Sequence, residues 1–243
     1  MSKLADPLQL VAQTDLLLLF SRLCARPTAT PLAHVPTAAA DLATVVRLAG
    51  LAEEALPAFT AALAAASSFD PVAWHCDYET TFGPNTVCPV YEAAWVRRER
   101  GPLMADIAGF ANAFGLQLRS ASGERYDHLA AELEIVALIQ LMRALALQRG
   151  DVESAAIAED AVDRFVADHL GDWLPGFCAA LARLEPHPIW SPLAAALASF
   201  WDRCCALHGW TLQAVIAPRN VPPGEREADE PACGMSGACA VEA

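Results

Sequence analysis

Apolar residues recur at helical three- and four-residue spacing in nearly every segment of this 243-residue chain, and the alternation of a half-buried strand is almost absent. Many of these segments are rich in alanine, which favours the helix intrinsically and lets neighbouring helices approach closely. The periodicity predicts an all-α fold, a helical bundle of about nine helices without a sheet. The prolines and glycines, 17 and 13 in number, fall mostly between the periodic segments and act as punctuation rather than as a sign of disorder.

The boundaries can be read from that punctuation. Asp6-Pro7 is an N-cap followed by proline at the first helical position, opening a helix to about Cys24. Pro27, Pro31 and Pro36 mark a loop, Thr37 caps a helix ending at Gly50, and another covers about Glu53 to Ala66. From Phe69 to Pro89 the pattern breaks into aromatic residues among turn formers, which puts Tyr78 and Phe82 on a loop. Helix is expected again over Val90 to Arg100 and over Met104 to Phe114, with Gly115 just past the end. Ser120 to Glu124 is a polar, hinge-like linker.

Beyond the linker, Asp127 is expected to cap a long helix to Arg149. Asp151 opens the next, which Gly171 stops after Leu170. Shorter stretches follow over Trp173 to Leu184 and from Ser191-Pro192 to near Gly209. Two helical halves result, residues 1–122 and 123–217, with a flexible Cys-containing tail over 218–243.

Hydrophobic residues make up 55% of the chain and charged residues 19%, enough apolar surface for a sizeable core. The 29 acidic against 16 basic residues give a formal charge of −13, which argues against nucleic acid as a partner. That charge suits a cationic partner, or simply keeps an apolar protein in solution. The apolar stretch Leu16 to Phe20 is bounded by Asp15 and Arg22, far short of the roughly 18 residues a membrane span requires. Asp6, Gln9, Gln13 and Asp15 interrupt any secretory leader, so a cytoplasmic location with reduced cysteines is expected.

No phosphate loop, dinucleotide fingerprint, zinc-protease helix or nucleophile elbow occurs in the sequence. Cys204-Cys205 with His208, and Cys233 with Cys239, are the candidates for thiol or metal chemistry, but four ligands at zinc-like spacing do not stand together. The reading is of a protein that is not an enzyme and holds no cofactor or metal. A thiol- or metal-dependent redox protein is the alternative from a different class.

Three clusters carry more information. In Tyr78-Glu-Thr-Thr-Phe82 and Pro89-Val-Tyr91-Glu92-Ala-Ala-Trp95, a helix from Val90 would put Tyr91 and Trp95 on one face. Packed against it, Tyr78, Phe82 and Pro89 would form an aromatic groove with Asp77, Glu79 and Glu92 at its rim. Ordinary packing of a long loop on the core accounts for the same residues. In Asp106-Ile-Ala-Gly109-Phe110-Ala-Asn-Ala-Phe114-Gly115-Leu116 two rings share a helix face, a structural feature. In Glu124-Arg-Tyr-Asp127-His128-Leu-Ala-Ala-Glu132-Leu-Glu134 the spacing of His128 and Glu132 allows a hydrogen bond or ion pair, at either a hinge or a well-capped helix start.

In this order, and with Phe165-Val-Ala-Asp-His169-Leu-Gly-Asp-Trp173-Leu-Pro-Gly-Phe177 after them, these stretches resemble the TorD/DmsD/NarJ family of redox-enzyme maturation chaperones over about residues 74 to 180. Thr81 stands where the family usually has leucine, and Tyr126 replaces the proline before Asp127-His128.

The resemblance implies a system-specific cytoplasmic chaperone for the catalytic subunit of a molybdopterin oxidoreductase. Such a chaperone binds the client's twin-arginine signal peptide or apo-form, and assists insertion of bis(molybdopterin guanine dinucleotide), bis-MGD, before export. It implies a peptide-binding site with Tyr78, Phe82, Pro89, Tyr91 and Trp95 on its apolar side and Glu92, Asp127 and His128 on its polar side. It leaves open a non-exported client of the nitrate-reductase type, weak guanine-nucleotide binding, and a monomer or domain-swapped dimer.

Overall fold

The computed structural model describes residues 6–27, 35–68, 70–83, 86, 88–117, 125–184, 187–211 and 218, and over 35–40 the backbone alone. Among the described residues nine α-helical segments follow one another: α1 (Pro7–Cys24), α2 (Val35–Leu48), α3 (Leu56–Ser68), α4 (Pro71–Phe82), α5 (Arg100–Ala113), α6 (Leu129–Gln148), α7 (Val152–Phe165), α8 (Gly171–Ala182) and α9 (Trp190–His208). The all-α expectation holds. Among the described residues, pairing of extended backbone is confined to one isolated antiparallel bridge, Tyr91 with His128. None of the described helices is long and apolar enough to cross a membrane.

Local chemistry sets most of the ends. The Asp6 carboxylate accepts from the Leu8 amide and Pro7 occupies the first turn of α1. Asp70 accepts from the amides of Val72 and Ala73 and Pro71 opens α4 in the same way. At the other end, Gly115 and Gly209 sit at φ of +70° and +74° just past α5 and α9, a conformation that spares glycine the Cβ clash.

The core is one continuous cluster running through all the packed helices. At its centre α1 lies along α6; α2 packs on α1 and on α3, α7 packs on α6, and α9 packs on α3 and α8. Small residues such as Ala12, Ala130 and Ala137 are buried, so polar groups can reach backbone. Ser21 Oγ donates to Ala130 O at 2.8 Å and Thr14 Oγ1 to Ala137 O at 3.3 Å. Gln140 Nε2 donates to Gln13 Oε1 at 2.8 Å, and Gln13 Nε2 reaches Ala49 O at 3.3 Å. Each polar side chain buried at the α1–α6 seam thereby finds a partner, as burial away from water demands.

Four sequence expectations are corrected. Within the stretch expected as a loop, Pro71–Phe82 is helical and carries Trp74, Tyr78 and Phe82 buried at i, i+4 and i+8. Val90 to Arg100 forms no α-helix; Tyr91 is extended, Glu92–Ala94 make one 3₁₀ turn, and α5 begins at Arg100. Tyr91 and Trp95 therefore share no helix face. α2 begins at Val35, two residues before Thr37. Gly171 does not stop a helix, because a π turn over Val166–Leu170 carries α7 directly into α8. The linker at Ser120 to Glu124 and the tail with Cys233 and Cys239 lie outside the described residues.

The π turn explains why position 171 is glycine. A Cβ there would stand 2.8 Å from Val166 O, a backbone atom that cannot swing away. Gly171→Ala should destabilise the protein by about 1–3 kcal/mol, against the usual gain from replacing a helical glycine. Urea unfolding measures this; a gain in stability would show that the π turn does not constrain this position.

Candidate functional site

The Pro89–Trp95 segment and the start of α6 meet backbone to backbone. Glu92 N donates to Asp127 O and Leu129 N to Val90 O, both at 2.8 Å. These bonds flank Tyr91 and His128, making them a non-hydrogen-bonded pair, the arrangement that brings side chains closest. Their rings meet edge to face at 5.2 Å. Trp95 Nε1 donates to Pro89 O at 2.9 Å and closes the segment on itself.

His128, not Asp127, caps α6. Its Nδ1 accepts from the Ala130 amide at 3.0 Å, so Nδ1 carries no proton and the Nε2–H is left to donate to Tyr78 Oη at 2.9 Å. Burial, with Arg125 and Arg26 nearby, pushes the imidazole pKa down to about 3 from 6.5, and the ring is neutral. His187 repeats the device at α9. Its Nδ1 accepts from the Ile189 and Trp190 amides, and its Nε2 lies 3.2 Å from Asp77 Oδ2. Neighbouring residues of α4 are thus held by two histidines that each cap another helix.

Asp127 is freed for a different partner. Arg125 Nε donates to its Oδ1 at 2.8 Å and Arg125 Nη2 to its Oδ2, a two-pronged fork, and Ala93 N reaches Oδ2 at 3.4 Å. The same guanidinium lies 4.4 Å from the centroid of the Tyr91 ring.

Beneath this seam lies a buried polar cluster. His169 Nδ1–H donates to Glu92 Oε2 at 3.0 Å, and Trp173 Nε1 to Glu132 Oε2 at 3.2 Å. Burial raises the Glu132 pKa, and the charges of Glu92 and Asp127 raise it further. Both effects favour the protonated, neutral form of Glu132. On its outer side His169 Nε2 stands 3.8 Å from Asp106 Oδ2, and Asp106 lines an open cleft of about 750 Å³ with Arg98, Glu99, Pro102, Leu103 and Asp168.

The aromatic residues form one run of rings. Tyr78 meets Phe82 at 5.1 Å, Phe82 meets Trp190 at 4.8 Å and Phe177 at 5.9 Å, and Phe177 leads to Trp173 and Trp95. The structure therefore brings all eight sequence-predicted residues, Tyr78, Phe82, Pro89, Tyr91, Glu92, Trp95, Asp127 and His128, into one neighbourhood. It does not leave them as an open groove. Tyr91 is half-buried and the other seven are buried, with Glu92, Asp127 and His128 at 0% exposure.

The expected acidic rim is corrected as well, because each carboxylate has a cation or imidazole of the chain against it. Asp77 has His187, Glu79 has Arg26 at 2.9 Å, and Glu92 has His169. Arg125, His169 and Trp173 take part in the site without having been given roles from sequence, and Glu132, expected to pair with His128, accepts from Trp173 while His128 bonds Ala130 and Tyr78. The spacing of His169, Trp173 and Phe177 at i, i+4 and i+8 was the available signal for the π turn and α8. Cys204 and Cys205 are buried in α9, where burial holds both thiols in their protonated, unreactive form. Among the described residues no group of three or more His, Cys, Asp and Glu side chains is arranged to hold a metal.

The family described as nitrate reductase delta subunit matches residues 47–179, more than half of the chain, a span that holds α4, the Pro89–Trp95 segment, α6 and the π turn. The chain belongs to this family of NarJ/TorD-type chaperones, which mature molybdoenzymes and partner their catalytic subunits. Comparison with curated proteins returns no match.

The two buried groups respond to pH in opposite senses. His128 is depressed in the fold, so its contribution is present above pH 6.5 and is lost as pH falls toward about 3. Glu132 is raised, so its contribution is complete below pH 4.5 and declines as pH rises toward its folded value. His128→Asn retains a capping side chain but does not titrate, and should flatten the loss of stability between pH 6.5 and 3. Urea midpoints across that range test this; an unchanged slope would mean His128 is not the group being charged.

Proposed function

We propose that this chain is a system-specific cytoplasmic chaperone for the catalytic subunit of a molybdopterin oxidoreductase. It holds the client's twin-arginine signal peptide and unfinished body until bis(molybdopterin guanine dinucleotide) has been inserted, and then releases the client for export. The observation that carries this reading is the convergence of Tyr78, Tyr91, Glu92, Asp127 and His128 on one seam between two segments distant in sequence. The formal charge of −13 supports steering of a peptide with a cationic end.

The burial of the site defines how it works. A peptide reaches these side chains when the Pro89–Trp95 segment lifts from α6, to which it is fastened by two backbone bonds. Lifting frees Val90 O and Glu92 N for an extended peptide, and it uncovers rings for the peptide's apolar stretch. Asp127 then serves the cationic end by charge-assisted hydrogen bonding.

The family's description favours a second reading, a chaperone for a nitrate-reductase-type subunit that is not exported. That protein captures the whole catalytic subunit but not an isolated signal peptide, and pull-downs with each bait separate the two.

Titration of a fluorescent peptide with an Arg-Arg pair ahead of an apolar stretch tests the first reading. Affinity should fall as salt rises, and Asp127→Asn should weaken binding by about tenfold or more. Equal affinity of wild type and the Asn variant would remove Asp127 from the site.

A further inference from the structure

We propose that Asp127 and Tyr91 form a receptor for a guanidinium group, and that Arg125 is its resident occupant, displaced when an arginine of the client arrives. This rests on the peptide-binding reading above and adds the ligand chemistry and the regulation of the same site.

The receptor and its occupant differ in the way such an exchange requires. The Asp127 side chain is 0% exposed and is further held by the Ala93 amide, whereas that of Arg125 is 30% exposed. A carboxylate presenting both oxygens edge-on, with an aromatic face 4.4 Å from the cation, matches a flat, forked guanidinium and not a compact ammonium. While the seam is closed, the backbone bridge sets the two halves of the receptor side by side, the ring through Tyr91 and the carboxylate through the Asp127 carbonyl. Arg125 is tied to the receptor only two residues away, so it returns as soon as the client arginine leaves. A buried carboxylate stripped of its cation is strongly unfavourable, and substitution of one arginine for another keeps Asp127 paired throughout. Arg26 on Glu79 is a looser pair, its two side chains 54% and 36% exposed.

The cost of a site already filled is a reduced apparent affinity, by the fraction of time it stands open. The test uses the full-length chain with Arg125→Ala. Methylguanidinium should raise the variant's unfolding temperature in a saturable manner and leave wild type unaffected, while methylammonium at equal concentration should shift neither protein. The variant should bind the Arg-Arg peptide about tenfold more tightly than wild type, with no such gain for a Lys-Lys peptide of the same length.

If Arg125→Ala does not fold, Arg125→Lys, which keeps the charge but lacks the fork, is measured in the same way with the same expectation. Absence of methylguanidinium rescue overturns the proposal. So does equal affinity of the two proteins for the Arg-Arg peptide, or an equal gain for Arg-Arg and Lys-Lys; each of these leaves peptide binding itself standing. Failure of both proteins to bind either peptide instead removes the reading on which the proposal rests.

Discussion

The imidazole of His128 joins three parts of the chain at once. Through Nδ1 it caps α6, through Nε2 it holds Tyr78 of α4, and through its ring face it supports Tyr91 of the extended segment. It does so as a neutral group with one defined tautomer, because a charged ring would have no lone pair for the Ala130 amide. The helix it caps is the one against which α1 lies, with Ser21 reaching the α6 backbone at Ala130, the residue whose amide His128 receives. The same contact thus fixes the bundle's central pair and the geometry of the seam.

Around the seam, carboxylates are paired within the fold rather than left for a partner. Asp77, Glu79, Glu92 and Asp127 each face an imidazole or guanidinium of the chain, and burial favours the protonated form of Glu132. A chain that carries −13 overall can therefore bury carboxylates in its interior and still present a negative field to an approaching cationic peptide. For a member of a molybdoenzyme chaperone family, the proposed peptide site is thus already filled by partners from the same chain.

The all-α class and most helix ends were legible because they depend on local chemistry, as at Asp6-Pro7, Gly115 and Gly209. The start of α4 was legible too, in the identical Asp70-Pro71 pair, but the aromatic residues and nearby prolines drew attention to a loop. Other features were not legible in physical terms. Tyr91-Glu-Ala-Ala-Trp95 has helical spacing, yet backbone pairing with residues near 128 overrides it, and that pairing leaves no local periodic trace. Arg125 competes for Asp127 and so moves the α6 cap by one residue to His128. Glu92 looked like a rim residue because its partner His169 lies 77 residues away, beyond a π turn that no spacing rule announces. Sequence could therefore gather residues that meet in space without revealing that the fold closes over them.

Hydrogen exchange at the amides of Glu92 and Leu129, compared with buried amides of α1 and α6, tests the central claim of a closed seam that opens. The two bridge amides should exchange through a local opening with far less protection than the α1–α6 core, and their rates should change when the Arg-Arg peptide is added while the core rates do not. Bridge amides as slow as global unfolding, with and without peptide, would make the seam a permanent part of the core and would contradict the account.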